Sequence, residues 1–244
     1  MRLVIGGHRT PPGPMRIEVA TVSPASLPRA RWPQLAALLS AEERARAARL
    51  RRPGQRHAYV AAHALKRLML SDMAGGAPQA WRFATGSAGK PVVAGRPGPH
   101  FNLSHTDGLV ACALCEGVPV GIDVERVHRP APLEVASACF APQEQAWLSG
   151  LPDARRTRGF YRLWTLKEAV VKAQGEGLSP GMQAFAIGFD PLRVTFPGPA
   201  PSTASAWRLV QQAVGPSHLL ALAWCGAEAA VTLRPDRLRD DPIA

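Results

Sequence analysis

Lysine is scarce in this chain: of 29 basic residues only Lys66, Lys90, Lys167 and Lys172 are lysines. Where arginine is the default, each lysine reads as a choice for a compact ammonium, which suits a single phosphate oxygen or a proton-transfer role better than a planar fork. Acidic residues are also few, 18 against 29, leaving a net charge of +11. Cysteine occurs four times in 244 residues, too seldom for a disulfide scaffold, so buried free thiols are expected. Cys112 and Cys115 form a C-x-x-C, but in an apolar segment expected to be a strand, where i and i+3 point to opposite faces, which argues against zinc or redox chemistry. No apolar run approaches the roughly 18 residues of a membrane helix; Leu109–Cys115 and Leu219–Cys225 suit buried strands. The opening MRLVIGGHRTPPGPM lacks the apolar stretch of a secretory signal, so a cytoplasmic protein without membrane association is expected. What is present, 46% hydrophobic and 19% charged residues, excludes a disordered or fibrous chain. A chain of this length can bury about 70–75% of its unfolded surface.

The positive charge is localised. Residues 29–67 hold Arg29, Arg31, Arg44, Arg46, Arg49, Arg51, Arg52, Arg56, Lys66 and Arg67 against Glu42 and Glu43, which is +8 of the +11. Such a segment can meet a nucleic acid, a compact multiply phosphorylated ligand or an acidic protein, and charge alone does not choose among them.

Along the chain, MRIEVATV (15–22) alternates as a strand does. Ser40-Ala-Glu-Glu43 reads as a capping box opening a helix that Pro53-Gly54 stops. A second helix is expected over Arg56–Ser71, and short strands near Ala80–Ala84, Pro99–Leu103, Leu109–Leu114 and Val118–Glu125. The second half repeats the plan: a short helix near Pro142–Ser149, a long one near Arg156–Gln174, and strands near Ala184–Phe189, Ala206–Val210 and Leu219–Ala223. No clear sequence repeat is visible. The fold class expected is α+β, with an N-terminal subdomain over 1–117, a C-terminal one over 118–233 carrying the chemistry, and a frayed tail over 234–244.

In VPVGIDVE, Val118, Val120, Ile122 and Val124 alternate with Pro119, Gly121, Asp123 and Glu125, so a strand places both carboxylates on one face. Two carboxylates at i and i+2 suit a hard cation such as Mg²⁺ with substrate phosphates, or simply a solvated strand face. On the long helix Glu168 and Lys172 are i,i+4 neighbours beside the apolar arc, a spacing that also makes an ordinary salt bridge. Lys167 projects into the middle of that arc and must snorkel or find a partner. FNLSHT (101–106) leaves a strand and gathers Asn102, Ser104, His105 and Thr106 at a turn, while Gly89-Lys90-Pro91 is a tight turn presenting one lysine.

The ordered series GKP (89–91), FNLSHT (101–106), GIDVE (121–125) and WTLKEAVVK (164–172) followed by GEGL resembles the 4′-phosphopantetheinyl transferase superfamily, in its surfactin-synthetase-activating type. EERARAARL and RHAYVAAHALKRLM resemble the family's basic N-terminal helices more weakly. The resemblance implies a monomer of two α+β halves related by a pseudo-twofold axis, with coenzyme A and Mg²⁺ between them. It matches Asp123, Glu125 and Glu168 to the metal-binding carboxylates and Lys172 to the phosphate-neutralising lysine. Lys90, Asn102, Ser104 and His105 match coenzyme A contacts, and Arg46 matches a basic helix residue that also stands i,i+4 from Glu42. The implied reaction is Mg²⁺-dependent transfer of the phosphopantetheine arm to a serine of an acidic apo acyl or peptidyl carrier protein, releasing adenosine 3′,5′-bisphosphate. In it Glu168 is the candidate general base, Lys172 steadies the leaving phosphate, and Asp123 holds metal.

Two other readings remain. A nucleic-acid-binding module explains the basic segment but not the carboxylate pair, which would repel phosphates without a metal. A generic Mg²⁺-dependent nucleotide hydrolase shares the metal site but turns over without a carrier protein.

Overall fold

The computed structural model describes residues 15–86, 89–95, 98–175, 181–196 and 206–240. The first half comprises β1 (Met15–Val22), α1 (Arg31–Ala37), α2 (Ala41–Arg49), α3 (Pro53–Ala74), β2 (Phe83–Thr85), β3 (Pro91–Val93), β4 (His100–Thr106) and β5 (Leu109–Cys115). The second comprises β6 (Val120–Arg126), α4 (Ala136–Cys139), α5 (Pro142–Ser149), α6 (Asp153–Gln174), β7 (Ala186–Phe189), β8 (Leu192–Thr195), β9 (Trp207–Val214) and β10 (His218–Cys225). β11 (Ala229–Arg234) and α7 (Arg237–Asp240) end the described chain.

The fold is α+β. One sheet runs β11-β1-β5-β4, the other β6-β10-β9, and β2-β3 and β7-β8 are separate hairpins. In each half the first strand lies beside the last, and a 22-residue helix packs on the sheet. Three apolar clusters set the layering. One joins α3 to Ala20, Val22, Val110, Cys112 and Leu114; a second joins α6 to Leu219, Ala221 and Ala223. The third lies between the sheets, with Ile17, Val19, Ala111, Ala113 and Cys115 against Val120, Ile122, Val124, Leu220 and Leu222. The order of layers is therefore helix, sheet, sheet, helix. Cys112 and Cys115 fall on opposite faces of β5, as the strand period requires, and burial pushes the Cys112 thiol up to about 12.

The two halves share more than a plan. Ser40 caps α2, its Oγ accepting from the Glu43 N–H at 3.2 Å while Glu43 accepts from the Ser40 N–H at 2.9 Å. Glu43 then reaches α3, accepting from Lys66 Nζ at 3.0 Å. In the second half Glu144, at the same N3 position of α5, accepts from the Ala141 N–H at 2.7 Å and from Lys167 Nζ at 2.7 Å. Each lysine lies 23 residues after its glutamate. Each ammonium also sits over the aromatic ring near the start of its following hairpin, Lys66 at 3.5 Å from Phe83 and Lys167 at 4.4 Å from Phe185. The partner that Lys167 needs is thus Glu144, buried with it. A repeat too diverged to read in the sequence survives as a duplicated buried ion pair.

Several boundaries differ from the sequence reading. Pro53 does not stop α2, which ends at Arg49; it is the first residue of α3, where its missing N–H costs nothing. FNLSHT does not gather at a turn, because β4 continues through Thr106. The segment from Arg234 does not fray within the described residues: α7 returns to the first half, where Leu238 is 1% exposed and Arg237 pairs with Asp72. β11 pairs in parallel with β1, a long-range partner that no local pattern announces. Glu176, Gly177 and Leu178 of GEGL, the opening fourteen residues and 241–244 lie outside the described residues.

Candidate active site

β4 and β6 are edge strands of different sheets, and polar side chains of β4 meet the edge of β6. Asn102, Ser104 and Thr106 alternate along one face of β4, opposite the Phe101 and Leu103 that face α3. Asn102 Oδ1 accepts from the Ile122 N–H at 2.9 Å. Ser104 Oγ accepts from the Val124 N–H at 3.2 Å and donates to Asp123 Oδ1 at 2.8 Å. Thr106 Oγ1 donates to Glu125 Oε2 at 3.0 Å. These side chains satisfy backbone donors on an edge that would otherwise need water, and in doing so they orient both carboxylates of β6.

Helix α6 lies across the other side of β6 at Gly121. A Cβ there would stand 2.0 Å from the Ala169 carbonyl oxygen and 2.4 Å from the Ala173 nitrogen, so only glycine permits the approach. This brings Lys172 Nζ to 2.6 Å from Asp123 Oδ1, 3.4 Å from Ser104 Oγ and 4.0 Å from Glu168 Oε2. The expected Glu168–Lys172 pair is therefore the looser contact, and Asp123 is the lysine's main partner. Burial raises the Glu168 carboxyl above its usual range, with Lys172 opposing and Asp123 and Glu125 reinforcing the shift. Burial and the neighbouring Asp123 likewise raise Glu125, against the pull of Arg129, Thr106 and Lys172.

Asp123 is 4% exposed, and its Oδ2 is buried without a hydrogen-bond partner. A carboxylate oxygen left that way costs free energy unless a further group completes it. Three carboxylates and an orphaned oxygen are the donor chemistry of a hard divalent cation such as Mg²⁺, and the residues fit that group. Among the described residues no three His, Cys, Asp or Glu side chains stand close enough together as placed to hold a metal ion, so the fit rests on the donor chemistry. Lys172 occupies one oxygen of Asp123, while Thr106 and Arg129 Nη2, at 2.7 Å, occupy one of Glu125.

The other expected residues separate. Lys90 is turned inward, donating to the Lys172 carbonyl at 2.6 Å and the Val120 carbonyl at 3.2 Å, and lines a cavity of about 330 Å³ with His100, Phe101, Pro119 and Gly175. His105 is exposed and points away from Ser104, as neighbours on a strand must. Arg46 is exposed on α2; among the described residues it makes no ion pair with Glu42. A larger cleft of about 830 Å³, lined by Met15, Met69, Met73, Arg234 and Arg237, includes none of these groups. Sequence reasoning missed Arg129, whose Nε also donates to the Tyr161 hydroxyl at 2.9 Å. Its i,i+4 spacing from Glu125 falls past the end of a strand, where that spacing carries no information.

The profile of the family described as the 4′-phosphopantetheinyl transferase superfamily matches residues 119–225. The chain is similar to the 4′-phosphopantetheinyl transferase HetI of Nostoc sp., 34% identical over 207 residues, covering 83% of this chain and 85% of that protein. It is also similar to the 4′-phosphopantetheinyl transferase Sfp of Bacillus subtilis, 38% identical over 106 residues, covering 43% of this chain and 46% of the relative. A solved holo-[acyl-carrier-protein] synthase of Thermotoga maritima aligns with 46% of this chain and 64% of its own at 20% identity and a TM-score of 0.37. Among the described residues no helix is long and apolar enough to cross a membrane.

Proposed function

The chain belongs to the 4′-phosphopantetheinyl transferase superfamily and is a phosphopantetheinyl transferase, and from that premise we propose how its residues perform the transfer. The donor is coenzyme A and the acceptor is a serine of an acidic apo acyl or peptidyl carrier protein, served by one chain acting alone in the cytoplasm. The observation that carries this reading is the orphaned Oδ2 of Asp123 beside Glu125, Glu168 and Lys172.

The serine oxygen forms a bond to the β-phosphorus of coenzyme A, and the bond from that phosphorus to the bridging oxygen breaks, releasing adenosine 3′,5′-bisphosphate. Glu168 takes the serine proton, directly or through one water; its burial favours the protonated form that results. Lys172 neutralises the phosphate that departs. Asp123, Glu125 and Glu168 would hold Mg²⁺, which when bound offsets pyrophosphate charge. Reactions of this type are governed by positioning and charge stabilisation, which is what a hydrogen-bonded set on two strands and one helix supplies. Arg46 and the exposed Arg44, Arg49, Arg51, Arg52 and Arg56 give a positive surface for the 3′-phosphate of coenzyme A and for steering an acidic carrier, and His105 and Asn102 stand as candidate coenzyme A contacts.

The test is the intact mass of an apo carrier protein incubated with this protein, Mg²⁺ and coenzyme A. A gain of one phosphopantetheine arm, absent with EDTA and absent for a carrier whose acceptor serine is alanine, is the expected result. Release of adenosine bisphosphate without a carrier would replace the proposal with a hydrolase.

A further inference from the structure

Lys90 belongs to the first half, just after the turn between β2 and β3, yet both groups its ammonium touches belong to the second. It donates to the carbonyl of Val120, which opens β6, and to the carbonyl of Lys172, in the last turn of α6. α6 ends at Gln174, so the Lys172 carbonyl is among those with no donor inside the helix. A cation there is further favoured by the helix dipole. Burial pushes the Lys90 ammonium down to about 8, because it takes the charge out of water, so the two carbonyls are the partners that offset that cost.

We propose that Lys90 is a positioning residue: by tying the last turn of α6 to the start of β6, it fixes the backbone from which Lys172 reaches Asp123. The proposal rests on the reading of Lys172 as the cation that neutralises the departing phosphate. It departs from the sequence expectation that Lys90 touches coenzyme A. The two roles separate kinetically, because loss of a contact weakens coenzyme A binding, whereas loss of positioning slows turnover through Lys172.

The experiment uses the full chain with Lys90→Met, Lys90→Gln, Lys172→Ala and the Lys90→Met/Lys172→Ala pair. Coenzyme A affinity is read by calorimetry and kcat by carrier mass. Lys90→Met is expected to lower kcat about tenfold. Its coenzyme A Kd should stay within about twofold, and it should cost less than about twofold more kcat when Lys172 is already alanine. Lys90→Gln, which keeps a donor for one carbonyl, should recover part of the loss, and it carries the test if Lys90→Met does not fold. A raised Kd with kcat intact would make Lys90 a ligand contact, and fully multiplying effects of Lys90 and Lys172 would make them independent; either overturns the proposal. Full turnover in Lys172→Ala alone would instead overturn the reading of Lys172, and the positioning role with it.

Discussion

The two oxygens of Asp123 have opposite fates. Oδ1 accepts from Ser104 and Lys172, whereas Oδ2 is buried with nothing to bond. A site built this way is destabilised without its ligand and relieved by it, so Mg²⁺ should raise the Tm of the protein, and the rise should vanish in Asp123→Asn. In the absence of metal the same variant should melt no lower than the parent. Asp123→Ala and Glu168→Gln should both lose transfer while keeping the circular dichroism of the fold. Near-normal turnover in either would refute the site assignment. The carboxylates were legible because i,i+2 on a strand and i,i+4 on a helix are fixed geometries. The hydroxyl of Ser104 that aims Asp123, and the Arg129 guanidinium on Glu125, depend on which strands and loops become neighbours.

Among the elements, the paired N3 glutamates explain how two short helices are docked onto two long ones. Glu43 and Glu144 each use one carboxylate for the helix start and for a buried lysine. The residue after that lysine then distinguishes the halves: Arg67 donates to Glu43 Oε2 at 2.8 Å, whereas Glu168 faces Asp123 and Lys172. One position of a shared framework thus completes the buried ion pair in the first half and faces the Asp123 and Lys172 cluster in the second. Breaking the second pair by Glu144→Gln leaves the Lys167 ammonium buried without its carboxylate and should cost about 3–5 kcal/mol in urea unfolding. Replacing both residues together, Glu144→Leu with Lys167→Met, should cost less than that single change. Glu43 adds a pH signature. Burial opposes its charge, but the hydrogen bond with His63, the charge of Lys66, the Ser40 N–H and Arg67 together hold its carboxyl well below the usual 4.5. A depressed folded pKa means the unfolded chain binds the proton more readily, so this stability is complete above 4.5 and is lost as pH falls below it. Glu43→Gln should therefore flatten the decline of Tm between about pH 5 and about pH 3 relative to the parent.

Over the whole molecule, the chain closes on itself. β11 lies parallel to β1, and α7 inserts Leu238 into the core of the first half beneath α3. β11, late in the described chain, consequently completes the sheet that β1 starts. Leu238→Ala should cost about 2–5 kcal/mol, the range for emptying a buried leucine site, and denaturant titration would show it; a loss below half a kcal/mol, roughly the level of surface substitutions, would mean that α7 is not docked. The basic surface works at this scale too, since its exposed arginines act through a summed field that salt screens.

The sequence by itself determined the α+β class, the Ser40 capping box, both long helices, the absence of a disulfide scaffold and the carboxylate pattern of β6, because each follows from local spacing or composition. It also carried the family resemblance in four ordered motifs. Tertiary structure decided what those motifs touch. It continued β4 past the expected turn, sending Ser104 and His105 to opposite faces, and it drew Lys90 inward to the end of α6. It returned β11 to β1, and it left one oxygen of Asp123 unpaired. None of these has a local signature, since each depends on which distant backbone lies within about 3 Å, the reach of a hydrogen bond.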